Sequence, residues 1–549
     1  MNKFQSLCLV ITILLFTACQ SKKQADAIFF NANVYTVNDG FSKATAFAVK
    51  DNKFVAVGSD DEIRNQYESE NITDLAGLAV YPGLIDGHAH FYRYSLGLQN
   101  VDLIGTSSFD EIIQKIQEHV KQYPDLPWIV GRGWDQNDWG DNTEFPTKDT
   151  LDILFPDKVV ALRRIDGHAL LTNQKGLDLA GINANTKVSG GEIILVNGKP
   201  SGVLVDNAID LLSSKAPDIS DERKVDLLKL GQENCFSVGL TSLADAGLQK
   251  VEIDFMDALQ KDSILKMRVY AMLAPSDENI QHYFSNGHYK TDHMHVRSFK
   301  IYGDGALGSR GACLIEPYHD IHNATGFLLS EPEVFDSLAK DFALKNFQMN
   351  THAIGDSTNR LITDIYAKYL KGKNDKRWRI EHAQIVHPRD MNKFGDYNIL
   401  PSVQPTHATS DMYWADERLG EERLETAYAY KDLLEENDML VLGSDFPVED
   451  INPIYGFHSA VARKDADNYP EDGFQMENSI SREAALKGMT IWAAYGQFEE
   501  EEKGSIEAGK LADFVILDQD IMTVAPEKLR ATKVLETWVG GERVFKLSY

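Results

Sequence analysis

Through the middle of the chain, short apolar runs that close on Gly, Asp or another polar residue alternate with stretches of helical hydrophobic period. The runs are GLIDGHAHF (83–91), LTSLADAG (240–247), MRVYAMLA (267–274), VRSFKIYGDG (296–305), QMNTHAIGD (348–356), WRIEHAQIV (378–386), ILPSVQPTH (399–407) and MLVLGSDFP (439–447). They number eight, and most are separated by amphipathic segments such as EVFDSLAKDFALKNF (333–347). Eight strand-then-helix units predict an α/β fold, a (β/α)8 barrel over residues 81–502. The interval between the first two runs, about 97–235, is too long for one connection and predicts an inserted subdomain.

The chain ends have a different texture. IFFNANVYTV (28–37) and ATAFAVKDNKFVAVG (44–58) read as short strands with Asn, Asp and Gly at their turns. So do LADFVILD (511–518) and VLETWVGGERVFKL (534–547), the latter a hairpin about Gly540-Gly541. Residues 25–80 and 503–549 are therefore expected to build one small β domain together.

Composition adds limits more than detail. With 549 residues, 43% hydrophobic and 25% charged, the chain is a folded protein with room for a large domain and a smaller one. A formal net charge of -28 makes nucleic acid a poor partner, because the phosphate backbone would be repelled over most of the surface.

The first residues, MNKFQSLCLVITILLFTACQSKK, run from a Lys through an apolar stretch too short to span a bilayer into small residues before Cys19. FTAC resembles a bacterial lipobox, which makes residues 1–19 a lipoprotein signal peptide and Cys19 the lipidated residue. With Gln20 after the cysteine and no Asp as a retention signal, this resemblance places the protein in the cell envelope, as an outer-membrane lipoprotein held to the membrane by its N-terminal lipid. Only Cys235 and Cys313 remain for the folded body, so no disulfide framework is indicated.

Candidate chemistry gathers at the ends of the eight runs, where a barrel of this kind builds its active site. A strand alternates its side chains, so His88 and His90 point the same way and can grip one metal ion. The fourth run carries Lys300, the fifth His352, the sixth His382 and the eighth Asp445. Each is a metal-ligand type or can become one, and six together on five strand ends point to a metal site.

These motifs resemble the amidohydrolase superfamily, in particular its YtcJ-like, family-3 branch, which includes N-substituted formamide deformylase. The resemblance is carried by PGLIDGHAH, the DGH of Asp166 to His168, GLTSLADAG, FKIYGDGALGSR, THAIGD, RIEHAQ, SVQPTH, LGSDFPV and KGSIEAGKLADFVILD, and it runs from about Ala25 to Lys546. It implies a distorted TIM barrel flanked by a β-sandwich from both chain ends. It further implies that His88, His90 and Asp445 bind one metal and His352 and His382 a second, with Lys300 carboxylated to bridge them. One or two Zn²⁺, or another divalent metal, would lower the pKa of a bound water towards ~7 and polarise a scissile carbonyl. Asp445 would take the proton from that water and deliver it to the leaving amine. The activity implied is hydrolysis of a non-peptide C–N bond, an amide or an N-acyl or N-formyl bond, in a small molecule.

A deaminase of the same superfamily is the competing enzyme, but it uses a glutamate soon after the fifth-strand histidine, where this chain has HAIGDS with Asp356. A surface-binding lipoprotein that kept the barrel as a scaffold would be expected to have lost at least one of the six ligands, and none is missing. Asp166 and His168 lie in the insertion and are expected over the barrel mouth, with His168 on the substrate carbonyl or oxyanion. Gln404 of SVQPTH joins them as a candidate substrate-binding residue. Trp134, in an aromatic-rich stretch that includes Trp128 and Trp139, is a candidate for an apolar pocket wall, as are Tyr413 and Trp414.

Overall fold

A computed structural model describes residues 22–548 apart from 125, 141 and 142; the signal segment and Cys19 lie outside the described residues. Eight parallel strands form the central sheet in chain order: β1 Leu84–Ala89, β2 Leu240–Leu248, β3 Arg268–Leu273, β4 Met294–Tyr302, β5 Gln348–Ala353, β6 Arg379–His382, β7 Leu400–Val403 and β8 Val441–Leu442. Each corresponds to one of the eight apolar runs, and the sheet curls into a nearly closed barrel, the fold the sequence predicts. β2 and β3 are buried along their whole length, as expected for strands with side chains on one face and helices on the other.

The barrel is irregular at its seam. β1 and β8 are not paired in a ladder. They meet instead through two glycines: a Cβ on Gly87 would lie 2.3 Å from Val441 Cγ1, and one on Gly443 only 2.5 Å from His88 N. Asp86 closes the seam by accepting from Ser444 Oγ at 2.6 Å and from the backbone N–H groups of Ser444 and His88.

Ahead of β1, Ala79–Pro82 pairs on one side with Phe514–Leu517 near the C-terminus and on the other with Asn33–Tyr35 near the N-terminus. A six-stranded sheet thus joins both chain ends, and a four-stranded sheet made from Ala27–Phe30, Ala46–Lys50, Lys53–Gly58 and Ile72–Asp74 covers it. Between the two sheets lie the rings of Phe29, Phe47, Phe54 and Phe514, with Trp538 at the edge. Burying each Phe contributes about 1.5–3 kcal/mol. The hairpin Val534–Val539/Glu542–Lys546 turns on Gly540 and Gly541, whose φ of 56° and 74° suit a two-residue turn of left-handed residues.

Within the interval 97–235, strands between Val101 and Asp206 form a separate six-stranded sheet with hydrophobic clusters of its own. The helix Asp221–Ser237 instead packs with Phe91–Gly97 into the barrel's cluster, through Leu228, Cys235, Phe236, Phe91 and Tyr92. Gly231 permits that contact, because a Cβ there would fall 2.0 Å from Ser95 Oγ.

Candidate active site

At the C-terminal mouth of the barrel, the seam aims three side chains at one point. The Asp445 N–H donates to His88 O at 2.8 Å and the His90 N–H to Phe446 O at 2.9 Å, tying the end of β1 to the turn after β8. Asp445 itself has φ 61°, and His382 at the end of β6 has φ 74°. Such left-handed backbone is uncommon for residues other than Gly and concentrates at functional sites. Asp445 Oδ1 lies 3.1 Å from His90 Nε2 and 3.5 Å from His88 Nε2, yet it has no hydrogen-bond partner. Ligand atoms of His88, His382 and Asp445 fall within 4.8 Å of one another. The His352 ring lies beside that group, 4.5 Å from the His382 ring between centroids.

Three of the imidazoles are held by their other nitrogen. His88 Nδ1 donates to Glu381 Oε2 at 2.5 Å, His90 Nδ1 to Ala246 O at 3.0 Å and His382 Nδ1 to Gln404 Oε1 at 2.7 Å. Each bond fixes a tautomer that leaves Nε2 unprotonated and able to accept, the arrangement of metal-ligating histidines. Glu381 is fixed in turn by Arg379, whose Nε lies 2.7 Å from Glu381 Oε1 and whose Nη2 also reaches Ser402 Oγ and Gly87 O. The sequence reading passes over Arg379 and Glu381, although RIEH carries them two residues apart on one strand face.

Burial holds the four imidazoles neutral, His90 down to about 4 and His88, His352 and His382 below their usual range, with Lys300 adding to the effect. Burial alone would raise the Asp445 carboxyl, but His90, His88 and His382 around it hold it well below the usual carboxylate range. Converging neutral nitrogens, one carboxylate and an orphaned buried oxygen fit a divalent cation.

Lys300 joins the site from β4, 1% exposed, with Nζ 2.9 Å from His88 Nε2. No carboxylate of the described residues lies within 4.0 Å of Nζ. Asp304, four residues further along the chain, is committed elsewhere and accepts from the backbone N–H groups of Cys313, Ile354 and Gly355. Asp356 is likewise structural: its Oδ1 accepts from the Ile315 N–H, away from the cavity.

The insertion delivers His168 to the same mouth, its ring 5.3 Å from that of His352. Asp206, at the end of the strand Lys199–Asp206, accepts from His168 Nδ1 at 2.5 Å. Burial opposes the imidazolium, but the Asp206 carboxylate raises its pKa above the ordinary value. Three arginines clamp the loop below it: Arg132 donates to Ile165 O, Arg163 to Gly167 O and Arg164 to Asp166 Oδ2. Asp166 also accepts from the His168 N–H at 2.9 Å, which shapes the turn at Gly167, φ 78°, and it lines the cavity as well. Asp206 also packs closely on the loop after β4, where a Cβ on Gly305 would lie 2.7 Å from Asp206 Oδ2.

A cavity of about 340 Å³ opens between these groups, lined by His168, His352, His382 and Asp445. Trp134 does not line it. The strand Trp128–Trp134 slips register at Gly133, φ 114°, which turns the Trp134 ring into the insertion's core with Nε1 donating to Leu162 O. Gln404 is also out of reach, since its side chain is fully buried against His382. Trp414, Gln384 and His407 take the wall positions instead. Gln384 Nε2 donates to His407 Nδ1 at 2.9 Å, and burial holds His407 neutral, down to about 4.

Comparison with known proteins agrees with this geometry. Residues 71–545 match the model of a family described as "Amidohydrolase family". The chain is 31% identical to LONG AFTER FAR-RED 3 of Arabidopsis thaliana, over 95% of this chain and 92% of that one. It is 28% identical to the N-substituted formamide deformylase of Arthrobacter pascens, over 94% and 97%. Among solved structures, an uncharacterized metal-dependent hydrolase from Pyrococcus horikoshii superposes with a TM-score of 0.73 at 25% identity, covering 91% of this chain and 99% of that one.

Proposed function

We infer, for a chain that belongs to the amidohydrolase family and is thereby a hydrolase, that it cleaves a non-peptide C–N bond of a small molecule with the help of one or two divalent metal ions. The observation that carries this reading is the gathering of His88, His382 and Asp445 ligand atoms, with His90 beside an Asp445 oxygen that has no hydrogen-bond partner. His88, His90 and Asp445 would hold one ion, and His352 and His382 a second. Zinc, or another divalent ion, would supply Lewis acidity to the scissile carbonyl and to a water.

The protein's own residues divide the remaining work. Asp445, a carboxylate that would lie beside the ions and stay ionised there, accepts the proton of the attacking water and passes it to the leaving nitrogen. His168 donates a hydrogen bond to the oxygen that gains charge. Its pairing with Asp206 keeps the ring oriented for that contact. The Gln404 and Glu381 bonds hold the ligand rings through these changes. A formamide deformylase among the relatives supports an amide, N-acyl or N-formyl bond as the target. Against ring deamination stands Asp356, whose carboxylate is engaged with Ile315 N.

Lys300 supports the two-ion form. A bare ammonium buried among neutral imidazoles without a counter-ion is electrostatically poor, whereas its carbamate brings an anion and two oxygen donors. Lys300→Ala is expected to lower bound metal from about two ions per chain towards one, with acetate or propionate restoring part of the activity. Elemental analysis, intact mass and a hydrolysis screen of N-acyl, N-formyl and imide compounds test the whole reading. One ion per wild-type chain and no added carboxyl mass would replace the bridged site by a mononuclear one. Metal-loaded protein inert on all three classes would remove the C–N assignment.

The lipobox-like FTAC supports attachment to the cell envelope, at the outer membrane, through Cys19. Labelled fatty acid should enter the wild-type protein in a bacterial host and not Cys19→Ser; equal labelling of both, or of neither, contradicts the anchor.

A further inference from the structure

The wall of the active-site cavity carries several carboxylates that form no ion pair. Asp135 and Asp166 are neutralised by Arg164, which lies between them. Asp138, Asp411, Glu449 and Asp450 also line the cavity, and no Lys, Arg or His nitrogen of the described residues lies within 4.0 Å of any of the four. Their protein partners are neutral donors. The Ser410 hydroxyl donates to Glu449 Oε1 at 2.7 Å, the Tyr428 hydroxyl to Asp411 Oδ2 at 2.7 Å and the Asn452 N–H to Asp450 Oδ1 at 2.8 Å.

A second observation is independent of these carboxylates. Gln384, 4% exposed, forms part of the same cavity wall, and its Oε1 has no hydrogen-bond partner while its Nε2 is committed to His407. A buried acceptor left empty costs about 1–3 kcal/mol unless a ligand donates to it. Carboxylates and an unpartnered amide oxygen together make a wall of acceptors. What satisfies such a wall is a positively charged group rich in N–H donors.

We propose that the hydrolase takes amides bearing a cationic substituent, an ammonium or guanidinium, which Asp138, Glu449 and Asp450 attract and Gln384 Oε1 receives by hydrogen bond. The inference rests on the hydrolase reading above and narrows its substrate class. The electrostatics of the cavity agree with it. Desolvation at the cavity wall pushes Glu449 up to about 7. A bound cation favours its ionised form, and a neutral or anionic substituent does not.

The test uses metal-loaded enzyme and three amides of one acyl group whose N-substituents end in a primary ammonium, the isosteric methyl or a carboxylate. Calorimetry with the corresponding free amines reads binding separately from turnover. The ammonium amide is expected to exceed the methyl one in kcat/KM by at least about tenfold, with the carboxylate amide slowest. That ratio should fall towards one in Glu449→Gln combined with Asp450→Asn. Both changes keep the oxygens that accept from Ser410 and Asn452, and Asp138→Asn, at a residue with no side-chain bond to lose, provides a separate variant should the pair fold poorly. A methyl amide turned over as fast as the ammonium one, or a ratio untouched by every variant, overturns the cationic class and leaves the hydrolase reading standing. If none of the amides is cleaved, the diamine binding more tightly than its methyl isostere, with that margin lost in the variants, sustains cation recognition while the C–N assignment fails. Equal binding of the two overturns the inference.

Discussion

Asp445→Asn is expected to lower kcat by about 10² to 10⁴-fold, the range for removing a positioned general acid–base, while the protein stays folded. The substitution suits the backbone, because Asn is among the few residues that tolerate the left-handed conformation seen here, φ 61°. The bond from the residue 445 N–H to His88 O does not involve the side chain and survives. What disappears is the anion. Oδ1 lies between His88 and His90 with no hydrogen bond of its own, and an amide placed there can neither take a proton from water nor balance a cation. Metal content should fall less than in His88→Ala, which removes a ligand nitrogen oriented by Glu381. Steady-state kinetics at saturating zinc, elemental analysis and thermal unfolding measure the three effects. Turnover within tenfold of the parent would show that Asp445 moves no proton.

The barrel and the candidate ligands at its mouth were legible in the sequence because a (β/α)8 barrel separates its signals. Each strand is an apolar run, and each functional side chain stands where that run ends. His88, His90, Lys300, His352, His382 and Asp445 could be picked out on that rule, and the structure brings them together. The residues that orient them were harder to see. Glu381 and Arg379 lie inside a strand, where a buried ion pair reads as an anomaly until its partner His88, from β1, is in view. Asp206 and the arginines under the His168 loop had no signal, since they come from the insertion, and only its packing on the barrel gives them a role. Trp134 was misplaced because alternation fails at a register slip, and nothing local announces that Gly133 marks one. Gln404 was misplaced for a related reason. A polar residue at a strand end can face the substrate or a ligand ring, and only tertiary contact decides which.

The second large effect is expected at Asp206, because it holds His168, the one donor the insertion is assigned in the reaction. Asp206→Asn should lower kcat by about 10² to 10³-fold, the scale of losing one donor to a developing oxyanion, with metal binding intact because neither residue belongs to the ligand set. Asn keeps an acceptor oxygen but not the charge that favours the His168 imidazolium. The same change has a stability consequence whose sign follows from that shift. The folded state raises the His168 pKa above its unfolded value, so the pairing contributes fully below the unfolded pKa and is lost as pH rises through the folded one. The variant should therefore be less stable than wild type by about 1–3 kcal/mol at mildly acid pH, a gap that narrows as pH rises past the folded pKa. Denaturant unfolding across that range and kcat on metal-loaded enzyme read the two effects separately. A kcat loss with full metal content and a gap that narrows with pH places His168 as a charged donor held by Asp206. A gap that widens with rising pH would mean the ring is bound neutral, and unchanged kcat would remove His168 from the reaction altogether.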